Sequence, residues 1–422
     1  MKNAQWGLLT VVLFAAAAAG RAEDATGYFP PPDAQGGWRV AKTAGDARRL
    51  TGMDLAKLDD AFTVAESSTK NGGLLVVRHG WLAYERYFGL GSRDATPNLA
   101  SCGKSFTSIA VGILMAERPG AFPEGLDTKV FTPAYLPSEA FPLSDPAKAD
   151  IKLGQLLCFS AGIRGNNPCY VNGKEVTIDP PGPDGAPAMI EDVALGKRDI
   201  TSGGKMTSAA TLWCRPGEGY SYATSSAHLA SMVLRRMSGM ELQEYVRQKL
   251  AEPMGWGLWG WGYRNAKAVT HTPGGGGIAL RATDMLRFGY LLLHHGRWAD
   301  KQLVPADYVN ACGRKSPYNP HYPYSLQFNV NTDGDIPEYP RDAFWKSGSG
   351  AHMLYVVPSL DLVVWKLAGR DGQYQPADTG MPLDRESVRQ AVEARKNWKP
   401  RLEEREGQRL LLTKVIAAVA DR

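Results

Sequence analysis

Apolar positions recur first at helical and then at strand spacing along the N-terminal part of the chain. In MDLAKLDDAFTVAESS, residues 53–68, the apolar residues share one helical face, which predicts a core-facing helix. GGLLVVRHGWLAYERYF, residues 72–88, holds two β-rich runs around His79-Gly80, which predict a hairpin. From Ser101 onward the helical spacing returns, so a second helix is predicted to begin at or just after this serine.

The remaining pattern predicts helices in the middle of the chain and strands near its end. Between about residues 115 and 270, helical signals alternate with Pro/Gly-rich loops such as IDPPGPDGAPAM and RPGEGYSYATSS. Thr283 is predicted to cap a helix over ATDMLRFGYLLLHHG. A second hairpin is predicted from AFWKSGSGAHMLYVV and DLVVWKLAG, with its turn at Pro358 to Asp361, and a last helix from about Gln408 to Ala420.

Strands at both ends of the chain with helices between them predict an α/β (α+β) fold. The terminal segments, about residues 53–114 and 270–422, are expected to share one antiparallel sheet flanked by helices. Residues of about 115–269 are expected to form a mostly helical lobe over that sheet. The cleft between the two lobes is the expected position of a functional site.

The N-terminal segment reads as a targeting signal. Residues 1–22 place Lys2 before a short apolar run that ends in small residues, which predicts a signal peptide. An uncleaved membrane anchor is the alternative, and either reading puts the protein outside the cytoplasm, periplasmic or secreted. After cleavage no stable membrane insertion is expected. Residues 23–52, rich in Pro, Gly and Asp, are expected to form an extended lead-in to one domain over 53–422.

Composition narrows the class of partner. The formal net charge is +5, and two of the positive charges, Lys2 and Arg21, belong to the leader. Such a small and scattered charge excludes a nucleic-acid partner and favours a small-molecule substrate. The five cysteines are too few for a disulfide scaffold and lack zinc-site spacing, although Cys169 and Cys214, both in loop-like sequence, form a candidate bridge.

The pattern Ser-x-x-Lys occurs three times, and its context separates the copies. Ser101 with Lys104 stands at the first turn of a buried helix, where backbone N–H groups and the helix dipole favour negative charge on oxygen. A lysine three residues on lies on the same face, and burial would let it act as a general base. The copies at Ser67 and Ser202 lie at a fraying helix end and in a glycine loop.

Two further segments carry candidate chemistry. Lys346-Ser347-Gly348, on a predicted strand, is the one place in the sequence where Lys is followed by Ser or Thr and then Gly. The lysine would present a positive charge to an anionic substrate group, and the glycine would let a bound acyl group approach the backbone. Tyr222 follows a Pro-Gly turn and precedes an apolar helix, and there it could relay a proton.

Taken in order, these motifs resemble the serine β-lactamase and DD-peptidase superfamily. The resemblance is strongest to its class C branch, with the family VIII esterases and aminohexanoate-oligomer hydrolases, and it spans roughly residues 70 to 370. It implies that Ser101 is the acylated nucleophile, Lys104 its proton acceptor and Tyr222 a proton shuttle. Lys346, Ser347 and Gly348 would match the Lys-Thr-Gly strand of the family.

The resemblance further implies an oxyanion hole made by the backbone N–H groups of Ser101 and Ser349, and it requires no metal or organic cofactor. The expected function is an exported serine hydrolase that cleaves an ester or amide through an acyl-serine. The alternatives are a DD-peptidase or β-lactamase and, from a different class, an inactive protein that binds cell-wall fragments.

Departures from the family pattern qualify the substrate class. Thr224 stands where the family has the Asn of Tyr-x-Asn, which disfavours β-lactam or peptide turnover. Tyr170, which does lie in a literal Tyr-x-Asn, is the main rival of Tyr222. The run Gly274 to Gly277 lacks the Lys-Ser/Thr of a phosphate loop and is expected to be a flexible turn near the cleft. His352 is a further candidate for the pocket lining.

Overall fold

The computed structural model describes residues 27–178, 184–185, 190–196, 201–202, 206–207, 210–261, 271–374 and 385–421. The signal peptide predicted over residues 1–22 and the first residues of the predicted lead-in lie outside these ranges. Within them, no helix is long and apolar enough to cross a membrane.

The helices are α1 Ala44–Asp46, α2 Leu55–Ser68, α3 Gly103–Glu117, α4 Leu153–Cys158, α5 Ile190–Leu195, α6 Thr224–Ser238, α7 Leu242–Val246, α8 Glu252–Met254, α9 Ala282–Leu293, α10 Ala306–Cys312, α11 Arg385–Ala394 and α12 Glu404–Ala417. The strands are β1 Gly72–Arg78, β2 Trp81–Phe88, β3 Asn166–Val171, β4 Lys174–Val176, β5 Asp184–Gly185, β6 Thr201–Ser202, β7 Met206–Thr207, β8 Tyr220–Tyr222, β9 Trp259–Trp261, β10 Ile278–Leu280, β11 Arg297–Trp298, β12 Lys301–Gln302, β13 Tyr324–Ser325, β14 Phe328–Val330, β15 Phe344–Gly348, β16 His352–Val357 and β17 Leu362–Leu367.

A seven-stranded antiparallel sheet joins the two ends of the chain. Its order is β13-β14-β15-β16-β17-β1-β2, so the N-terminal hairpin pairs with the C-terminal strand β17. This arrangement confirms the prediction that the terminal segments share one antiparallel sheet, and with it the α+β fold class. Every residue of β1 is buried because helices cover both faces of the sheet.

Alternate residues of β1 enter two different hydrophobic cores. Leu74 and Val76 face a core with residues from α2 and α12, whereas Leu75 and Val77 face a larger core with residues from α3 and α9. The period of two in a strand produces this division. Helix α3, which begins just after Ser101 as predicted, therefore lies on the larger-core side of the sheet.

The sequence-based boundaries need two corrections near the C-terminus. The expected second hairpin is a meander of three strands, because a turn at residues 349–351 divides its first arm into β15 and β16. Thr283 does not cap α9: Arg281 is the N-cap residue, and the Thr283 hydroxyl donates 2.8 Å to Asp33 of the N-terminal segment. A long-range partner for that hydroxyl replaces the local one that the pattern suggested.

The segment between α3 and α9 contains strands as well as helices. A three-stranded sheet of order β4-β3-β8 lies there, and β8 carries Tyr220 and Tyr222. These strands are short, and periodicity over so few residues gives a weak signal. The predicted Cys169–Cys214 bridge is wrong: all five cysteines are free thiols, and the Cys169 thiol lies 3.2 Å from the Ser221 hydroxyl.

Candidate active site

Ser101 lies in a tight turn at the head of α3. It belongs to a 3₁₀ turn, Ala100–Cys102, that leads directly into the helix, and it is partly exposed. Ala100 before it has a left-handed φ of 49°, a conformation that costs a non-glycine residue about 1–3 kcal/mol. The Asn98 side chain accepts from the Ala100 N–H at 2.9 Å and supports the turn. The turn presents Ser101 at the positive end of the helix.

Lys104 contacts the Ser101 hydroxyl. Its Nζ lies 2.9 Å from Ser101 Oγ and also donates to the Gly275 carbonyl. The side chain is buried, and the loss of hydration lowers the pKa of Lys104 to about 7. A substantial fraction of this lysine is therefore neutral near pH 7, as a general base must be.

Tyr222 completes the group around Ser101. Its hydroxyl hydrogen-bonds Ser101, and its ring centroid lies 5.3 Å from Lys104 Nζ and 5.6 Å from Lys346 Nζ. Burial raises the pKa of Tyr222, and the hydrogen bond with Ser101 opposes that rise. Tyr170, its rival, packs its ring 4.5 Å from that of Tyr322 instead. The structure therefore brings Tyr222, and not Tyr170, to the serine.

Lys346 and Ser347 of strand β15 point to opposite faces of the strand. Lys346 is buried and donates to the Tyr324 hydroxyl, and burial together with the charge of Lys104 holds the pKa of Lys346 well below its usual range. Ser347 points to the other face of the strand and lines a neighbouring cavity. This alternation places the Lys346 amine on the Ser101 side and the Ser347 hydroxyl on the cavity side.

Gly348 allows β15 to approach the serine turn. A Cβ atom there would lie 2.2 Å from the Leu99 carbonyl oxygen and 3.1 Å from Cys102 Sγ. Cys102 is fully buried, and burial raises the pKa of its thiol to about 12. A larger residue at 348 would push the strand away from the Ser101 turn. The Cys102 thiol beside Ser101 stays protonated and enclosed.

The outer part of β15 has a free edge. β14 pairs with β15 only at Trp345 and Phe344, and within the described residues no strand pairs with Lys346–Gly348 on that side. Ser349 follows in an exposed turn, and its carbonyl accepts from the Gln373 amide at 3.0 Å. A substrate carbonyl could therefore reach main-chain groups of this segment.

The glycine run Gly274–Gly277 is a packed part of the site, which corrects the expectation of a flexible turn. A Cβ at Gly276 would lie 2.6 Å from the Ala100 carbonyl oxygen, and one at Gly275 2.5 Å from the Thr224 methyl. The Gly277 N–H donates to the Ala100 carbonyl at 3.0 Å. The glycine run thus lies between the serine turn and α6. Thr224, the half-buried first residue of α6, packs against the run.

Two groups hold this arrangement, and sequence reasoning missed one of them, Gln373. Gln373 donates to the carbonyls of Asn98 at 2.8 Å and Ser349 at 3.0 Å. His352, proposed for the pocket lining, is fully buried, and its Nδ1 accepts from the Ala368 N–H at 3.1 Å. Burial lowers the pKa of His352 to about 3, so it is neutral and supports the Asn98 segment from behind. No local sequence pattern marks Gln373.

A second support lies behind the glycine run. The His228 Nδ1 accepts from the Gly274 N–H at 3.2 Å, and its Nε2 lies 3.4 Å from the Glu191 carboxylate. This chain of contacts fixes the loop whose Gly275 carbonyl receives Lys104. Among the described residues, no cluster of His, Cys, Asp and Glu could hold a metal ion.

Comparison with solved structures gives relatives with this fold. A putative 6-aminohexanoate-dimer hydrolase from Bacillus anthracis superposes with a TM-score of 0.55 at 20% identity, covering 87% of this chain and 90% of its own. A penicillin-binding protein homologue from Caulobacter crescentus gives 0.56 at 15% identity, covering 80% and 96%. EstCE1, a hydrolase with promiscuous acyltransferase activity, gives 0.53 at 16% identity, covering 80% and 98%.

At these identities the three superpositions show a shared fold. No curated protein sequence matches the chain. The family model described as Beta-lactamase matches residues 62–388, a range that includes the serine turn, the glycine run and β15. The chain belongs to the beta-lactamase family.

Proposed function

We propose that this protein is an exported serine hydrolase that cleaves an ester or a simple amide through an acyl-Ser101 intermediate. One observation carries the proposal: a buried lysine whose pKa is lowered to about 7 lies 2.9 Å from the hydroxyl of Ser101. The export part rests on the leader-like residues 1–22 alone.

In the proposed acylation step, the neutral Lys104 amine takes the Ser101 proton as Oγ attacks the carbonyl carbon. The tetrahedral oxyanion is held by the backbone N–H groups of Ser101 and Ser349. Tyr222 gives its hydroxyl proton to the leaving oxygen or nitrogen as the bond from the acyl carbon to that atom breaks, and it takes up the proton held by Lys104, so the acyl group remains on Ser101 and the amine is neutral again. A water molecule then gives a proton to Lys104 as its oxygen attacks the acyl carbon. The bond from the acyl carbon to Ser101 Oγ breaks, Oγ takes that proton back, and the acid is released.

Two further observations favour an ester or simple amide over a β-lactam or peptide. Thr224 offers a short hydroxyl and a methyl packed on Gly275, where the family pattern has an amide that would grip a peptide bond. Among the similar structures, one is named as a hydrolase of the 6-aminohexanoate dimer and another as a hydrolase with acyltransferase activity. Both names fit transfer of an acyl group.

A labelling experiment tests the proposal. The protein and its Ser101→Ala variant are treated separately with a fluorophosphonate and with a labelled penicillin, and each adduct is located by intact mass and peptide mapping. We expect the fluorophosphonate, and not the penicillin, to modify Ser101. Stable labelling by penicillin would support a DD-peptidase, and rapid penicillin turnover would support a β-lactamase.

Turnover rates then rank the substrate classes. A p-nitrophenyl ester, nitrocefin and a D-Ala-D-Ala peptide are compared, with Ser101→Ala as the background rate. We expect measurable hydrolysis of the ester alone. If no adduct formed at Ser101 and no substrate were turned over, the proposal of an enzyme would be contradicted, and the alternative of a protein that only binds its ligand would be supported.

A further inference from the structure

A cavity of about 500 Å³ opens beside the serine site, and seven of its 17 lining residues are aromatic. Tyr222, whose hydroxyl contacts Ser101, and Ser347 are among its lining residues. Tyr322 packs against Tyr170 and Tyr220 of the small sheet, and Trp345 and Tyr355 of the large sheet also line the cavity. A substrate whose carbonyl reaches Ser101 therefore has one of its substituents beside this cavity.

The aromatic walls are held in place before any ligand binds. The Tyr220 and Tyr322 rings stack with centroids 4.5 Å apart at 18°. The hydroxyl of Tyr355 donates to the Gln408 carbonyl of α12 at 2.7 Å, and that of Tyr339 to the Arg409 carbonyl at 2.9 Å. Rings fixed in this way lose little conformational entropy when a flat group enters between them.

The charges around the cavity select among the groups that aromatic walls can bind. Such walls accept either a flat aromatic ring or a cation. Arg405 and Arg409 of α12 both line this cavity; Arg409 pairs with Glu338, whereas the charge of Arg405 acts on the Tyr322 hydroxyl. Asp335, which also acts on Tyr322, supplies one opposing charge. The carboxylates of Glu338 and Asp335 offset the two guanidinium charges, so no net negative charge remains at the cavity to favour an ammonium ligand.

We propose that the cavity binds an aromatic ring of the substrate, attached to the ester or amide on either its acyl or its alcohol (or amine) side. This inference rests on the proposed function for Ser101, because the position of the ring is set by the carbonyl group that Ser101 attacks. The polar side chains of Asn166 and Asn329, which also line the cavity, are positioned to bind hydroxyl or similar substituents on the ring.

Two matched ester pairs test the inference. Methyl phenylacetate is compared with methyl cyclohexylacetate, and benzyl acetate with cyclohexylmethyl acetate. Each pair differs in a flat against a puckered ring of the same size. We expect kcat/KM to favour the aromatic member about tenfold in one pair, in keeping with the strength of aromatic pairing. The pair that responds identifies the acyl or the alcohol side. Equal rates within both pairs would overturn the inference.

Substitutions in the wall locate the preference. In Tyr322→Leu and, separately, Tyr170→Leu, we expect the aromatic-to-cyclohexyl ratio to fall to about threefold or less, because stacking surface is lost. The ratio does not depend on the fraction of folded enzyme. Tyr135→Leu is the matched control and should keep the ratio, because Tyr135 is not among the lining residues of the cavity and its hydroxyl donates to the Ala121 carbonyl. An unchanged ratio in both wall variants would overturn the inference.

Methyl acetate separates this inference from the proposed function. Hydrolysis of methyl acetate and labelling of Ser101, without an aromatic preference, would overturn the cavity assignment alone. Loss of both the hydrolysis and the labelling would overturn the proposed function as well.

Discussion

Two lysines buried on opposite sides of the large sheet each contact a serine, and comparing the two pairs shows what separates them besides proximity. Lys104 lies 2.9 Å from Ser101 on one side of the sheet, and Lys366 of β17 lies 2.7 Å from Ser68 on the other. Both lysines are buried, and burial lowers the pKa of each to about 7. Distance and lysine pKa are therefore nearly the same in the two pairs.

The pairs differ in the helix end on which the serine lies. Ser101 precedes α3 at its positive end, whereas Ser68 is the last residue of α2, at the negative end. The Ser68 hydroxyl donates to the Ala65 carbonyl at 3.1 Å, so its proton points away from Lys366. A Ser68 alkoxide would face helix carbonyls, which disfavours its formation. A nucleophile needs N–H groups where the negative charge develops.

The serines themselves should give the largest contrast. We expect Ser101→Ala to lower kcat on an ester by about 10⁴-fold or more, because the acylated atom is lost. Ser68→Ala should keep kcat within about twofold, because a buried hydroxyl remote from substrate is removed. Steady-state rates of the two purified variants check this expectation. A large loss in Ser68→Ala, with an unchanged circular dichroism spectrum, would break the comparison.

The lysines should give the next largest contrast. Lys104→Met removes the proposed base and should lower kcat by about 10³-fold, within the range of general base catalysis. Lys366→Met removes a lysine with a similarly lowered pKa and should change kcat by less than about threefold. Fluorophosphonate labelling rates measure the same step independently. Equal losses in the two variants would mean that Lys104 acts only through stability.

In the part of the chain that the structure describes, the Ser68 pair has no tyrosine hydroxyl bonded to its serine, as Tyr222 is bonded to Ser101. Tyr222→Phe should lower kcat by about 10²-fold, because proton transfer to the leaving group slows while the ring remains in place. Tyr135→Phe, which also loses one hydroxyl, is the matched control and should be near wild type. Near-normal activity in Tyr222→Phe would transfer the role to Tyr170, which the same rate measurement on Tyr170→Phe would then test.

The pH dependence should give the smallest and most diagnostic effect. Because burial lowers the pKa of Lys104 to about 7, the neutral amine dominates above that pH. We expect kcat/KM to rise about tenfold per pH unit below 7 and to level off above it. Lys366→Met should leave this profile in place although it removes a group with the same pKa. A profile that moves in Lys366→Met would show coupling between the two sides of the sheet.

Local patterns predicted those parts of the site whose partners are close in sequence. Ser101 and Lys104 face each other because residues three apart share a helix face. Context also favoured Tyr222 over Tyr170, because a Pro-Gly turn and an apolar helix flank it, and the structure places Tyr222 beside Ser101. The glycine run was misread because its constraint comes from the Ala100 carbonyl and from Thr224, both distant in sequence. Gln373 was missed for the same reason: Asn98, one of its partners, lies 275 residues away.

The sequence by itself determined helices α2, α3, α9 and α12, the hairpin of β1 and β2, and the serine–lysine spacing, because these depend on periodicity and neighbours along the chain. Only the tertiary structure decided which lysines lose their water, how closely β15 approaches Cys102, and which rings form the cavity. It also paired Lys366 with Ser68 across 298 residues. Desolvation and side-chain contact arise when distant segments pack together, and no local pattern of residues contains them.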